Sequence, residues 1–315
     1  MQDSKVTAIE KSRPKILVVG ATGSLGTKIT QILVGQKKPV RCLVRNRSNY
    51  QPLATAGVQT VLGDLKDRQS LDPACQEIET VITTANSFLR GEPDNPQTVD
   101  LEGNRQLVDA ANAAGAKQFI FVSANVADPN SPVPFLQAKA KTEEYLRMSG
   151  MTYTILAPNA FMDFWIANAV GLPAINEQPV YIVGEGRHKH SFVSDTDVAK
   201  IATASIGNPQ AYNQRLVIGG PEPISLLDTI AVYERLLGHK VKVEHVAPMQ
   251  PVPAFSEGSL APFSRNLIPV FASFEMFDSP MDMTQITRNF KIRLMTIEDF
   301  ARKMIESHKK EKGRT

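Results

Sequence analysis

A buried strand, a glycine-rich turn and a helix open this sequence, and together they constrain its fold more than any other feature. The run KILVVG at 15–20 is continuously apolar and ends in glycine, which is typical of a strand buried on both faces. Residues 24–36 follow with apolar side chains at helical spacing. Between them lies the segment VVGATGSLG, in which three glycines are spaced three residues apart.

Short apolar runs and helical segments then alternate along the chain. Further strands are predicted at 40–45, 58–64, 80–86, 118–124 and 153–158, and helices near 68–76, at 98–115 and at 135–149. Such alternation builds βαβ units, which give a parallel sheet with helices on both faces. The sequence therefore predicts an α/β fold with a Rossmann-type, doubly wound parallel sheet.

The regular alternation stops after the sixth strand, which suggests a second, smaller α+β lobe. Residues 159–187 are predicted to be irregular, whereas a short strand, a helix and a strand return to the core at 190–193, 195–206 and 215–220. A helix near 225–237 and a strand at 241–246 belong to the smaller lobe. The predicted division is a core over 15–157 with 190–220, a substrate-binding lobe over 158–189 and 221–307, and flexible polar tails at 1–14 and 308–315.

Composition excludes several classes of protein. Lys and Arg number 35 against 32 Asp and Glu, and a net charge of +3 is too balanced for a typical nucleic-acid binder. The two cysteines, Cys42 and Cys75, form no C-x-x-C pair, which favours a reducing compartment over a disulfide scaffold. The polar first residues are unlike a signal peptide, and no apolar run approaches the roughly 20 residues that cross a bilayer. We expect a cytoplasmic protein without nucleic-acid or membrane partners; its oligomeric state is open.

The glycine-rich turn predicts a site for a dinucleotide. One glycine turns tightly, one lets the backbone approach a pyrophosphate and one lets the helix pack on the strand, while the anion sits on free N–H groups of the helix N-terminus. Glycines that serve only the turn are the alternative, but the flanking strand and helix favour the binding site. The predicted contacts are Gly20, Thr22, Gly23, Ser24, Leu25 and Gly26.

The end of the second strand predicts which dinucleotide binds. NAD-binding proteins usually carry an acidic residue there for the ribose 2′-hydroxyl. This chain has LVRNRS instead, with Arg45 and Arg47 and no acid nearby. Guanidinium groups suit a 2′-phosphate through charge and paired hydrogen bonds, so NADP(H) is the predicted cofactor, although two solvated surface arginines are the alternative.

Polar residues follow several of the other predicted strands. Ligands of open α/β sheets bind outside the carboxyl ends of the strands, so these residues are candidates for contact with the cofactor. Asp64 could instead cap the next helix, and the others could be ordinary loop residues. The candidates are Asp64 and Leu65, then Thr84, Ala85 and Asn86, then Ser123, and finally Pro158 and Asn159.

From about residue 15 to at least 220, the sequence resembles the NmrA-like family of atypical short-chain dehydrogenases/reductases. The resemblance rests on VVGATGSLG, LVRNRS, GDLKDRQSL, FVSANV, QAKAKTEEYL and TILAPNAFMDFW. It implies a Rossmann fold and NADP(H) binding. The family includes isoflavone-reductase-like enzymes, quinone reductases, non-catalytic redox-sensing regulators and photosystem assembly factors, so the resemblance leaves the activity open.

The resemblance also shows a departure at the expected catalytic tyrosine. Typical short-chain dehydrogenases use a Ser and a Tyr-x-x-x-Lys motif, in which the tyrosine donates a proton. Ser123 and Lys139 match, but Phe135 stands four residues before the lysine and cannot donate a proton. In isoflavone-reductase-like enzymes a helix lysine takes over, which suggests Lys139 both as a contact to the cofactor and as the catalytic residue. The alternative is a surface lysine that pairs with Glu143.

Residues beyond the fifth and sixth strands are weaker candidates for substrate contact. Asn125 and Asn159 could bind a substrate or form turns, and Phe161, Phe164 and Trp165 could pack in the core or form an apolar wall. Phe135 and His190 could face the same cleft. The pair His188 and His190 lacks a third ligand, so no metal site is predicted. The sequence favours hydride transfer from NADPH to a small quinone, enone or aromatic acceptor, and the alternative is a non-catalytic NADP(H)-binding sensor, regulator or assembly factor.

Overall fold

The computed structural model describes residues 15–312, and the predicted tail at 1–14 lies outside them. Seven parallel strands form the central sheet in the order β3-β2-β1-β4-β5-β6-β8, and β7 and β9 form a separate parallel pair. The strands are β1 (Ile16–Val19), β2 (Val40–Val44), β3 (Gln59–Leu62), β4 (Thr80–Thr83), β5 (Gln118–Val122), β6 (Thr152–Pro158), β7 (Val180–Val183), β8 (Gln214–Ile218) and β9 (Val243–Val246). The predicted doubly wound parallel sheet is confirmed.

Helices cover the sheet and build the remainder of the chain. A π-helical segment, Pro96–Gly103, leads directly into α4, and a second, Met162–Gly171, leads into α6. The α-helices are α1 (Ser24–Gly35), α2 (Gln51–Thr55), α3 (Arg68–Cys75), α4 (Asn104–Ala113), α5 (Pro134–Met148), α6 (Leu172–Ile175), α7 (Asp195–Ala204), α8 (Leu226–Leu237), α9 (Pro253–Ser256), α10 (Ser264–Ser273), α11 (Thr284–Phe290) and α12 (Ile297–Lys312); 3₁₀ turns lie at Pro209–Ala211 and Gly258–Phe263.

Strand β1 shows why this sequence forms a doubly wound sheet. Ile16 and Val18 enter the apolar core that includes α1 and α7, whereas Leu17 and Val19 enter the core on the other side, with α3 and α4. A strand that is apolar at every position can bury both of its faces only between two layers of helices. A third apolar cluster, which includes Trp165, Tyr233 and the β7 residue Ile182, lies outside the seven-stranded sheet.

Two predicted stretches have a different structure. The segment 159–187 is regular rather than irregular, because it contains the second π-helical segment, α6 and β7. The strand predicted at 190–193 is reduced to single bridges: His190 pairs with Ile224 and Ser279, and Val193 pairs with Phe161. The chain at 190–193 therefore bridges three other segments singly and forms no continuous ladder of hydrogen bonds.

The carboxyl-terminal boundary also differs from the expectation. Helix α12 continues to Lys312, into the predicted polar tail at 308–315, because Phe300, Ala301 and Ile305 bury one face of it. Within the described residues, no helix is both long enough and apolar enough to cross a membrane. The division into a core and a substrate-binding lobe remains a prediction.

Candidate functional site

The glycine-rich turn forms a backbone cradle at the carboxyl end of β1. Gly20 has a φ of +85°, and a Cβ there would lie 2.5 Å from the hydroxyl oxygen of Thr84. A Cβ on Gly26 would lie 2.2 Å from the carbonyl oxygen of Gly20. Both glycines are therefore required by packing, since α1 and the loop after β4 approach the turn at backbone distance.

Gly23 differs from these two glycines. It is exposed, its φ is −82°, and a Cβ there would meet nothing closer than the Gly20 carbonyl oxygen at 3.4 Å. Neither backbone conformation nor packing within the protein therefore demands glycine at this position. Thr22 and Ser24 beside it are exposed as well, at the N-terminus of α1, while Leu25 is buried beneath them.

A small charged cluster that the sequence did not predict adjoins this cradle. Ser24 donates a hydrogen bond to the Asp195 carboxylate, and Lys28 contacts Asp163 at 2.9 Å and Asp195 at 3.3 Å. Burial and the neighbouring Asp163 raise the pKa of Asp195. Asp195 stands at the first position of α7, after its cap Ser194, whose hydroxyl accepts from the Asp197 N–H at 3.1 Å. The cluster ties α1 to α7 and to the aromatic segment after β6.

The positive charge near the end of β2 comes from more side chains than the two predicted arginines. Arg45, Arg47 and Lys66 all contact Asp94, whose side chain is 3% exposed. Arg45 donates to Asp94 at 2.6 Å, and Arg90 lies 3.9 Å away. Burial acts to raise the pKa of Asp94, but hydrogen bonds from Lys66 and Arg45 outweigh it and hold the pKa below its ordinary value.

A cavity of about 530 Å³ opens beside these cations. Leu62 is 55% exposed in its wall, which leaves an apolar surface next to the guanidinium groups. Asp64 also lines the cavity, but it accepts from the Lys66 N–H at 3.0 Å and does not cap α3; Asp67 is the cap. Leu65 is buried in the core. The cavity lining comprises Arg45, Asn46, Arg47, Leu62, Gly63, Asp64, Asp67 and Ser70.

Lys139 is the most deeply buried cation at this edge of the sheet. Its ammonium lies 3.2 Å from Asp100 Oδ1 and donates to the Val122 carbonyl at 3.2 Å. Its nitrogen lies 4.9 Å from the centre of the Phe121 ring and 5.3 Å from that of Phe135. The expected alternative, a surface pair with Glu143, is therefore wrong. A lysine buried in this way is held by one carboxylate and two aromatic faces.

Asp100 links this lysine to the loop after β4. Its Oδ2 accepts from the backbone N–H of Ser87 at 2.9 Å and from the Ser87 hydroxyl at 2.6 Å. Its Oδ1 makes no hydrogen bond with the described residues, so its contact with Lys139 rests on charge. The position of the ammonium thus depends on Asp100, a carboxylate that no sequence motif singles out.

Ser123 has a different partner from the one that the short-chain dehydrogenase pattern suggests. Its hydroxyl donates to the buried carboxylate of Glu143 at 2.5 Å, and Arg147 and Arg215 bind the other oxygen of this carboxylate at 2.8 and 2.9 Å. Arg215 also donates to the carbonyl oxygens of Ala124 and Asn125. This network fixes the turn after β5. It also uses the one hydrogen-bond donor of the Ser123 hydroxyl.

An aromatic cluster lies next to Lys139. Phe88, which the sequence analysis missed, has its ring centre 5.0 Å from that of Phe135, 6.5 Å from Phe164 and 6.3 Å from Trp165. Phe135 and Phe164 are half-buried, whereas Trp165 packs against Phe255, Phe271 and Phe274 inside the third apolar cluster. Phe161 lies apart, packed against the core that contains α1.

The remaining candidates divide between the edge of the sheet and the interior. Thr84, Ala85 and Asn86 follow β4, where Asn86 accepts from the Phe88 N–H and forms a turn. Pro158 ends β6 and is buried, and the Asn125 N–H donates to its carbonyl at 2.9 Å. The Asn159 side chain donates to the carbonyl of Ser191 and the hydroxyl of Ser279, each at 3.2 Å.

His190 is an interior residue. It is 2% exposed, with Nδ1 2.8 Å from the Ser279 hydroxyl and Nε2 2.9 Å from the Phe274 carbonyl. Burial lowers its pKa, so the neutral ring donates to the carbonyl and accepts from the serine. Both nitrogens have partners within the protein, which leaves neither for a substrate. Across residues 15–312 no group of three or more His, Cys, Asp or Glu side chains could hold a metal ion.

Comparison with known proteins assigns the chain to a family. The NmrA-like family model matches residues 12–301. The chain belongs to the NmrA-like family. The resemblance noted in the sequence is thereby confirmed, and the family match extends well beyond the quoted motifs.

The chain is similar to two curated proteins and, in fold, to one solved structure. The chain is 34% identical over 231 residues to the photosystem II assembly factor Ycf39 of Cyanophora paradoxa, covering 73% of this chain and 71% of the relative. It is 29% identical to the NAD(P)H azoreductase of Xenophilus azovorans, covering 72% and 75%. The NADPH-dependent quinone oxidoreductase QOR2 of Escherichia coli, crystallised with NADPH, superposes with a TM-score of 0.74 at 22% identity, covering 92% and 99%.

The burial of Lys139 predicts a large effect on stability. Lys139→Met should leave the Asp100 carboxylate buried without its cation and lower the free energy of unfolding by about 3–5 kcal/mol. Lys141→Met, on an exposed face of the same helix, is the matched control and should change it by less than about 0.5 kcal/mol. Urea unfolding measures both, and equal effects would show that the Asp100 contact contributes nothing to stability.

Proposed function

We propose that this chain is an NADP(H)-binding oxidoreductase that reduces small, apolar, conjugated acceptors such as quinones, enones or aromatic compounds. The observation that carries the proposal is the set of groups that meet at one edge of the sheet. A glycine cradle and several cations at the end of β2 lie there, together with a buried lysine beside half-buried aromatic rings. Such a combination suits a phosphorylated dinucleotide at one end and a flat apolar molecule at the other.

The residues present fit the cofactor. Gly23 is a glycine that the protein's own packing does not need, and this supports close approach of a pyrophosphate to its backbone and to the N–H groups at the start of α1. Arg45, Arg47 and Lys66 would hold the 2′-phosphate, and the exposed Leu62 would offer an apolar surface to the adenine. Thr84, Asn86 and the backbone after β5 lie along the same edge.

Bound NADPH would supply a hydride at its nicotinamide ring. Lys139 would hold a proton at Nζ on that side of the cleft, in a position fixed by Asp100 and Ser87. The rings of Phe88, Phe135 and Phe164 would exclude water and pack against a flat acceptor. Because Phe135 donates no proton, acceptors that delocalise negative charge are favoured over simple ketones.

The names of the relatives support this range of acceptors. The azoreductase and the quinone oxidoreductase are named for conjugated, aromatic or quinoid substrates. Both names include NADPH or NAD(P)H, and the second protein was crystallised with NADPH. We extend the same cofactor and the same broad class of acceptor to this chain.

A second candidate is a protein that binds NADP(H) without turnover and serves as a sensor, regulator or assembly factor. The observation in its favour is that the two residues that match the short-chain dehydrogenase motif already have partners within the protein. Ser123 donates to Glu143, and Lys139 is paired with Asp100. The similarity to a photosystem II assembly factor points in the same direction. The two candidates share the cofactor and differ in whether an acceptor is reduced.

Cofactor preference is the first test of the proposal. Wild-type protein should bind NADPH more tightly than NADH, and Arg45→Ala should weaken NADPH binding about tenfold or more while changing NADH binding little, because a guanidinium–phosphate pair contributes roughly 1.5–3 kcal/mol. Calorimetric titration measures both. Arg68→Ala, which removes a partly exposed guanidinium paired with Asp72, is the control. Equal affinity for the two nucleotides would contradict NADP(H) specificity.

A panel of acceptors separates an enzyme from a sensor. We expect NADPH oxidation, followed by its absorbance, with quinones or enones and little or none with simple ketones. Phe135→Tyr restores a hydroxyl four residues before Lys139 and should raise ketone reduction, whereas Phe135→Leu should not. Cofactor binding without turnover of any acceptor would favour the sensor, and efficient ketone reduction by the wild type would contradict the role given to Phe135.

A further inference from the structure

We propose that Asp94 is a specificity-determining residue, an internal carboxylate that competes with the 2′-phosphate for the same cations. The inference rests on the proposed NADP(H) binding. It adds that Asp94 lowers the affinity of the site for the 2′-phosphate. Without Asp94, the cations at the end of β2 would discriminate more strongly between NADPH and NADH than the natural protein does.

The contacts of Asp94 are those that a phosphate would make. Its Oδ2 accepts from Nη1 of Arg45 and Nη2 of Arg47, and its Oδ1 contacts Nζ of Lys66. These are the terminal nitrogens of all three side chains, the atoms that best reach an incoming anion. A phosphate and a carboxylate both accept from guanidinium and ammonium groups with charge-assisted hydrogen bonds, so the two anions require the same donors.

The balance of charge favours competition over simple support. Four cations, Arg45, Arg47, Lys66 and Arg90, surround Asp94, and among the described residues the one other carboxylate that pairs with any of them is Asp64, 3.7 Å from Lys66. Burial lowers the pKa of Arg90, and repulsion from Arg45 contributes. Asp94 relieves this repulsion in the free protein. A phosphate with a charge of roughly −1.5 to −2 would relieve it too, and it would repel Asp94.

Asp64 does not have the same arrangement. Its Oδ1 accepts from the Lys66 backbone, its side chain is one-third exposed, and it contacts neither arginine in the described structure. Asp94, by contrast, is nearly fully buried by the cations, on a loop whose turns are held by the bonds from Arg90 N to Ser87 O and from Asp94 N to Gly91 O. A surface loop of this kind can move when a stronger anion takes its partners.

The test uses adenosine 2′,5′-bisphosphate and AMP, which differ only in the 2′-phosphate, with the full-length protein. Asp94→Asn should bind the 2′-phosphorylated nucleotide about tenfold more tightly than the wild type, with AMP affinity unchanged. Asp72→Asn on α3 makes the same change in net charge at a carboxylate that pairs with Arg68 and with none of the four cations around Asp94, and it should leave both affinities unchanged. Unaltered AMP binding also shows that the Asp94 variant is folded.

The opposite result would overturn the proposal. If Asp94→Asn weakens binding of the 2′-phosphorylated nucleotide, Asp94 supports the arginines and does not compete; if the ratio of affinities is unchanged, Asp94 has no role in specificity. Either result leaves the proposed cofactor intact, provided that the wild type still prefers the 2′-phosphorylated nucleotide. If the wild type binds neither nucleotide, both the proposed function and this inference fail.

A second measurement needs no variant. If the 2′-phosphate displaces Asp94, backbone amides of 90–95 should exchange hydrogen faster when the wild-type protein is saturated with NADP+ than with NAD+. The same or slower exchange with NADP+ would show that Asp94 keeps its partners when the nucleotide binds. It would therefore contradict the proposal.

Discussion

Parallel pairing of all seven strands of the main sheet is the constraint on which the candidate site depends. Every strand then ends on the same edge, so the turn after β1, the arginines after β2 and the loop after β4 become neighbours although they are separated along the chain. Burial of β1 on both faces enforces this arrangement, since its side chains fill the cores on the two sides of the sheet. The chemistry of the site follows from which residues stand at that edge.

One stretch of chain after β4 supplies the anions for both ends of the site. Asp94 gathers the cations at the end of β2, and Asp100 holds Lys139 beneath the aromatic rings. Phe88 and Ser87 lie on the same stretch, one in the aromatic cluster and the other bonded to Asp100. A cation buried as deeply as Lys139 needs a fixed counter-ion, because desolvation of an unpaired charge would exceed the gain from packing.

The sequence predicts the parts of this site that depend on local pattern. Strand and helix periodicity locate the sheet, and the spacing of Gly20 and Gly26 anticipates the close packing that their missing side chains permit. Asp94 and Phe88 escaped prediction because nothing local distinguishes them within a polar loop; their roles come from partners brought together by the fold. His190 is the opposite case, a candidate for the site that proves to be an interior residue. Its ring nitrogens are bonded to Phe274 and Ser279, more than 80 residues later in the chain, and no local pattern reveals these partners.

If the cations at the end of β2 bind a 2′-phosphate, phosphorus NMR of bound NADP+ should report the contact. A free phosphate monoester has a second pKa of about 6. Arg45, Arg47 and Lys66 should lower this pKa, so the 2′-phosphate resonance of the saturated protein should stay at its dianionic position down to a pH of about 5. A resonance that titrates as in free NADP+, or a nucleotide that does not bind, would show that these cations do not hold the 2′-phosphate.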